Sequence, residues 1–133
     1  MEFAIGAVLA IIAGVSCTIL GMDRDRALYP AIMIVIAALY SLFAVMGGST
    51  NALILEIVAG AVFVTMAVAG FKWSMWFVVA ALAGHGVFDF VHDKIIHDPG
   101  VPTFWPAFCS AYDIVAAAYL GWLVASKRLP SSP

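Results

Sequence analysis

The stretch WSMWFVVAALAGHGVFDFVH, Trp73 to His92, decides the fold. Its first half is apolar, and its second half carries His85, Asp89 and His92. These recur at i, i+4 and i+7, so a helix places all three on one stripe. Ionisable side chains inside a transmembrane segment are expensive and rarely idle. The stretch therefore reads as a membrane-crossing helix that carries a polar site.

The rest of the chain agrees with a membrane setting. Its 133 residues are 65% hydrophobic and 11% charged, with a mean hydropathy of +1.08, which excludes an ordinary soluble domain. The formal net charge is −2, and no basic patch is present to neutralise a nucleic-acid backbone, so that partner is set aside. Met1-Glu2-Phe3 offers no positive region ahead of the first apolar run. Ala13-Gly14-Val15-Ser16-Cys17 has a lipoprotein-like outline, but Gly14 stands where a large aliphatic is wanted; the segment reads as a retained helix.

An apolar helix needs about 20 residues to cross the hydrocarbon core. Five stretches qualify, at about Glu2–Leu20, Tyr29–Met46, Asn51–Gly70, Trp73–His92 and Phe104–Ser126. The expected fold is an all-α, five-span membrane bundle forming a single domain. Gly21 to Arg26 is a charged loop, and Asp23, Arg24, Asp25 and Arg26 read as topology signals paired with one another. Pro30 suits a helix start, and Gly47 to Asn51 combines flexible residues with N-cap formers. Phe71-Lys72 is a tight connection that predicts an antiparallel hairpin of the third and fourth helices. Asp98-Pro99-Gly100-Val101-Pro102 cannot continue a helix, and His97 and Asp98 read as a solvated loop.

Lys and Arg distribute unevenly between the two sides. Arg24, Arg26, Lys72, Lys127 and Arg128 fall on one side and only Lys94 on the other, which predicts N-terminus out and C-terminus in. Trp105 reads as an anchor at the outer interface. Cys17 and Cys109 fall near opposite faces, so they read as unbridged small apolar residues.

Depth along each helix brings the polar residues together. At about 1.5 Å per residue, His85 lies roughly 10 Å and Asp89 roughly 5 Å below the outer end, with His92 near the surface. Glu56 in the third helix and Asp113 in the fifth lie at roughly 8 and 12 Å, and Tyr40 and Ser41 of the second are level with them. Around Asp113 the positions Cys109, Ser110, Ala116 and Ala117 form a small-residue face suited to close packing.

Metal chemistry is the leading reading of this constellation. His85, Asp89 and His92 are the candidate ligands, with Glu56 and Asp113 as further ligands or acid/base groups, and Tyr40, Ser41 and Ser110 as substrate contacts. Mixed imidazole and carboxylate donors suit zinc or iron. An open coordination position would activate water, which points to a hydrolase-like enzyme. The two histidines stand about 10.5 Å apart along the axis, so one ion shared by both around Asp89 would be strained. The bland reading is a structural polar network that fixes helix registry.

From His85 to Asp113 the chain resembles a family of small, uncharacterised bacterial multi-pass membrane proteins. The resemblance rests on His85-Gly86-x-x-Asp89-x-x-His92, a Pro-containing loop, and Cys109-Ser110-Ala111-Tyr112-Asp113. It covers about a third of the chain and implies a bacterial cytoplasmic membrane location, but no activity. The site chemistry is also similar to that of alkaline ceramidases and adiponectin receptors, which arrange Ser, Asp and three His around zinc. Here the helix number differs, and both intramembrane histidines share one helix.

The expected function is thus a metal-dependent membrane enzyme acting on a lipid or other apolar substrate from the outer leaflet. One competitor is a small ion, proton or metal transporter, which would need a continuation through the nearly uncharged inner half or a homo-oligomeric interface. Others are metal-free acid/base isomerisation of an isoprenoid-like substrate and haem ligation by His85 or His92.

Overall fold

A computed structural model describes all 133 residues. The chain forms five α-helices and no strand: α1 Glu2–Leu20, α2 Leu28–Met46, α3 Thr50–Lys72, α4 Trp76–Ile95 and α5 Trp105–Ala125. Ser49 caps α3 by accepting from the Ala52 N–H at 3.2 Å, and Pro106 lies in the first turn of α5, where its missing donor is harmless. The connection between α3 and α4 lies later than the sequence suggests. No breaker stops α3 at Gly70, and Lys72 in its last turn complements the negative end of the helix dipole. The chain turns at Trp73 to Met75, and α4 runs three residues past His92, to Ile95.

Four helices, α1, α2, α3 and α5, are long and apolar enough to cross a membrane. The expected fifth span, α4, falls outside that group because it carries His85, Asp89, His92, Asp93 and Lys94 within 20 residues. Its polar stripe is buried, whereas Phe77, Val87 and Phe90 face outward.

Small residues set the packing. In α1 the buried positions are Gly6, Ala10 and Gly14, a seam at four-residue spacing that lies on α5. Gly6 abuts the Phe108 carbonyl, and a Cβ on Gly14 would stand 2.8 Å from the Tyr119 ring. On the opposite face of α5, Gly86 of α4 approaches closely enough that a Cβ would lie 3.0 Å from the Ser110 carbonyl oxygen. The Ser110 hydroxyl donates to the Gly86 carbonyl at 2.7 Å. Meanwhile α3 lies mainly on α2 and meets α4 less extensively. No extensive packing joins α2 to α5, and a groove of about 400 Å³ opens between them.

Two loop expectations are corrected. Asp23 and Arg26 are buried and do not pair with each other. Asp23 accepts from Thr18 at 2.6 Å, and Thr18 also meets the Tyr119 hydroxyl at 2.9 Å. Arg26 donates to the Gly70 carbonyl at 3.1 Å and to the Ser131 carbonyl at 3.4 Å, tying the first loop to α3 and the C-terminal tail. At the other end His97 is exposed, but Asp98 is buried. The loop folds back until Gly100 lies against the Phe43 carbonyl and Gly47, a contact that only glycine allows, and Ile96 packs with Ala44 and Ala52.

Gly86→Leu forces a side chain into the α4–α5 contact. It is expected to destabilise the bundle by about 1–3 kcal/mol, an ordinary cost of overpacking, read as a lowered unfolding midpoint in detergent.

Candidate functional site

The buried His85, His92, Glu56, Asp89 and Asp113 are all paired, and α4 supplies a member of every pair. His85 Nδ1 lies 2.7 Å from Asp113 Oδ2 of α5 and 3.2 Å from Asp89 Oδ2 one turn away. Asp89 Oδ1 accepts from the Tyr40 hydroxyl of α2 at 2.7 Å. His92 Nε2 lies 2.6 Å from Glu56 Oε1 of α3. The Tyr40 ring stacks on His92, with centroids 4.0 Å apart and planes at 11°. Glu56, His85, Asp89, His92 and Asp113 are each at most 2% exposed. Phe63 and Phe88 wall the network, Phe63 meeting His85 edge-on at 4.8 Å.

Two sub-sites result, which differs from the single stripe of the sequence. The ligand atoms of His85, Asp89, Cys109 and Asp113 all lie within 4.8 Å of one another, so this group could hold a metal ion. His92, expected as a third ligand beside His85 and Asp89, is not in the group. Its seven-residue spacing from His85 carries it about 10.5 Å along the axis, where it meets Glu56 instead. Glu56, expected beside Asp113, belongs to this outer pair. Asp113, read from the sequence as a further ligand or an acid/base group, sits in the group that could hold a metal ion.

The substrate contacts expected from the sequence are placed otherwise. Tyr40 is buried and committed to Asp89 and His92. Ser41 is half-buried and its hydroxyl joins none of these bonds. Ser110 is committed to the Gly86 backbone, so it joins helices rather than facing a substrate. Cys109 is the residue that the sequence reading missed: it is a candidate donor rather than a filler, and its Sγ lies 4.0 Å from Asp113 Oδ2. The signal was its position four residues before Asp113, on the same helix face.

The donor set fits a metal. Donors around one four-coordinate ion at about 2.0–2.3 Å stand roughly 3.3–3.8 Å apart, so a modest inward shift of these four would suffice. Two carboxylates share one imidazole, and Asp113 Oδ1 is buried with no partner. An excess of acidic oxygen in an apolar surround calls for a cation or a proton. Cys109 also lines the α2–α5 groove, whose ten lining residues are all hydrophobic and include Trp105 and Phe108. Trp105 is half-buried there and packs edge-on to Phe43 at 5.1 Å.

No family, curated protein or solved structure matches the chain.

Tyr40→Phe keeps the stack on His92 but strips the hydrogen bond from Asp89. It is expected to cost about 1–3 kcal/mol, as an unsatisfied buried acceptor does. Tyr40→Leu, which removes both, should lower the unfolding midpoint in detergent further.

Proposed function

We propose that the protein is a membrane-embedded, metal-dependent enzyme of hydrolase type that acts on a lipid or other apolar substrate. The observation that carries the reading is the four-donor group, with its unpartnered Asp113 oxygen, set against an apolar groove that shares Cys109 with it. In this reading α4 is a fifth span, shielded by its neighbours on the polar side and facing lipid with Phe77, Val87 and Phe90. The N-terminus is out and the C-terminus in, so the site opens to the outer leaflet of a bacterial cytoplasmic membrane.

His85, Asp89, Cys109 and Asp113 would hold the ion, zinc or iron by donor type. Bound there, it supplies Lewis acidity toward a carbonyl or similar group. Tyr40 fixes Asp89 through its hydroxyl and His92 through its ring, which holds the two sub-sites in register. The Glu56–His92 pair is the acid/base element, able to keep and return a proton, and Tyr40 links it to the donor group through Asp89. The groove takes the apolar part of the substrate directly from the bilayer.

One observation favours a second reading, metal-free acid/base catalysis such as isomerisation. His85 Nδ1 is already bonded between two carboxylates, and Tyr40 extends that chain through Asp89. This is a proton relay without further ligands.

Elemental analysis of detergent-purified protein separates the two. About one transition-metal ion per chain is expected in the wild type, and little in His85→Ala or Asp113→Asn. Wild-type protein with no stoichiometric metal removes the metalloenzyme reading. In liposomes of bacterial lipid extract, mass spectrometry should find hydrolysis products with the wild type and none with Asp113→Asn. Metal-loaded protein that yields no product removes the hydrolase reading.

A further inference from the structure

His92 is the imidazole of the buried network that meets a carboxylate at each of its nitrogens. Its Nε2 lies 2.6 Å from Glu56 Oε1, and its Nδ1 lies 3.5 Å from Asp93 Oδ1. The three side chains step from solvent to core: Asp93 is 78% exposed, while His92 and Glu56 are buried. Asp93 also breaks a local rule. It stands in the last turn of α4, where the negative end of the helix dipole disfavours a carboxylate. No Lys or Arg pairs with it; its ion-pair contact is His92. The His92 ring is held between Tyr40, stacked on it at 4.0 Å, and Phe88, edge-on at 5.4 Å. The titratable groups that meet this ring are thus the two carboxylates and Tyr40, whose hydroxyl is committed to Asp89. None of the four proposed metal donors is among them.

We infer that Asp93, His92 and Glu56 form a proton relay between the outer solvent and the buried network, with Asp93 as its outer member. The inference rests on the proposed acid/base role of the Glu56–His92 pair. An imidazole that served only to satisfy Glu56 would need one nitrogen, and here the second faces a carboxylate in water. Outward, Glu56 gives its proton to Nε2, the Nδ1–H bond breaks, and that proton passes to Asp93 and then to water. Inward, Asp93 gives a proton to Nδ1, and Nε2 gives one to Glu56. Each passage moves one proton and no electrons, and it leaves His92 in the other tautomer. Hydrolysis alternates the two directions, because attack of water releases a proton and the leaving group takes one up. The ring is therefore restored without turning between Tyr40 and Phe88. The outer contact is longer than the roughly 2.7–3.2 Å of a made N–H···O bond, but Asp93 is not fixed by burial. It can close the gap directly or through one water.

The test reads the His92 ring N–H directly, by NMR magnetisation transfer from water to isotope-labelled histidine. It uses the full chain in detergent, without added metal or substrate. Asp93→Asn should slow proton exchange at this ring about 100-fold, the low end of what a positioned acid or base contributes. Asp93→Glu should retain most of the exchange, and formate, a diffusible carboxylate, should restore it to Asp93→Asn. Asp93 is exposed, so these variants should share the wild-type unfolding midpoint. Wild-type exchange in Asp93→Asn would overturn the relay, and so would a slowing that neither Asp93→Glu nor formate reverses. Turnover separates the relay from the reading beneath it. Where the wild type hydrolyses lipid, Asp93→Asn should lower kcat with KM unchanged, and formate should restore kcat. Carboxylate-dependent exchange in a protein that forms no product would support the relay and remove the hydrolase reading. Turnover in a protein whose exchange ignores Asp93 would do the reverse.

Discussion

Burying an ionisable group in an apolar medium is tolerable only when another polar group meets it, and the contacts of His85 with Asp113 at 2.7 Å and of His92 with Glu56 at 2.6 Å answer that constraint. On the proposed membrane setting, lipid would offer the helices little hydrophobic reason to associate, so close small-residue packing and interhelical hydrogen bonds would hold them. In this bundle the hydrogen bonds radiate from α4. Tyr40 reaches it from α2, Glu56 from α3, and Asp113 and Ser110 from α5. A helix too polar to qualify as a span on composition is thereby the one that sets the register of the other three. Only α1 is attached differently, by its Gly6, Ala10 and Gly14 seam on α5.

The helices were legible in the sequence because each needs a long apolar run, and charged or glycine-rich breaks separate those runs. Their ends were less so: nothing local stops α3 at Gly70, and what stops it is a turn made together with the start of α4. Depth counting placed Glu56, His85, Asp89 and Asp113 on one level, and the structure does bring all of them to α4. It did not resolve which pairs with which, because counting along an axis says nothing about rotation between helices. Cys109 shares a helix face with Asp113, yet a cysteine in an apolar helix looks like packing until Asp89 and His85 are placed opposite it.

The loop residues failed for a different reason. Arg26 is claimed by the Gly70 and Ser131 carbonyls, 44 and 105 residues away in sequence, and no local pattern encodes that. Asp98 is buried because Gly47 and Gly100 allow the last loop to lie against the end of α2, a tertiary contact between two glycines that each look like ordinary turn residues. Charge patterns reveal which groups prefer water. They do not reveal which of them a distant carbonyl will capture.

The same hub explains why a groove survives beside the site. Tyr40 draws α2 toward α4, and α3 covers α2 on another side, while α5 is held by α4 and α1. With both helices committed elsewhere, α2 and α5 cannot close on each other, and Cys109 is left on the wall of the space between them. The outer end, by contrast, is covered by Ile96 and the folded-back loop. On the proposed function, an apolar chain would then enter sideways through the groove, because the loop closes the other approach.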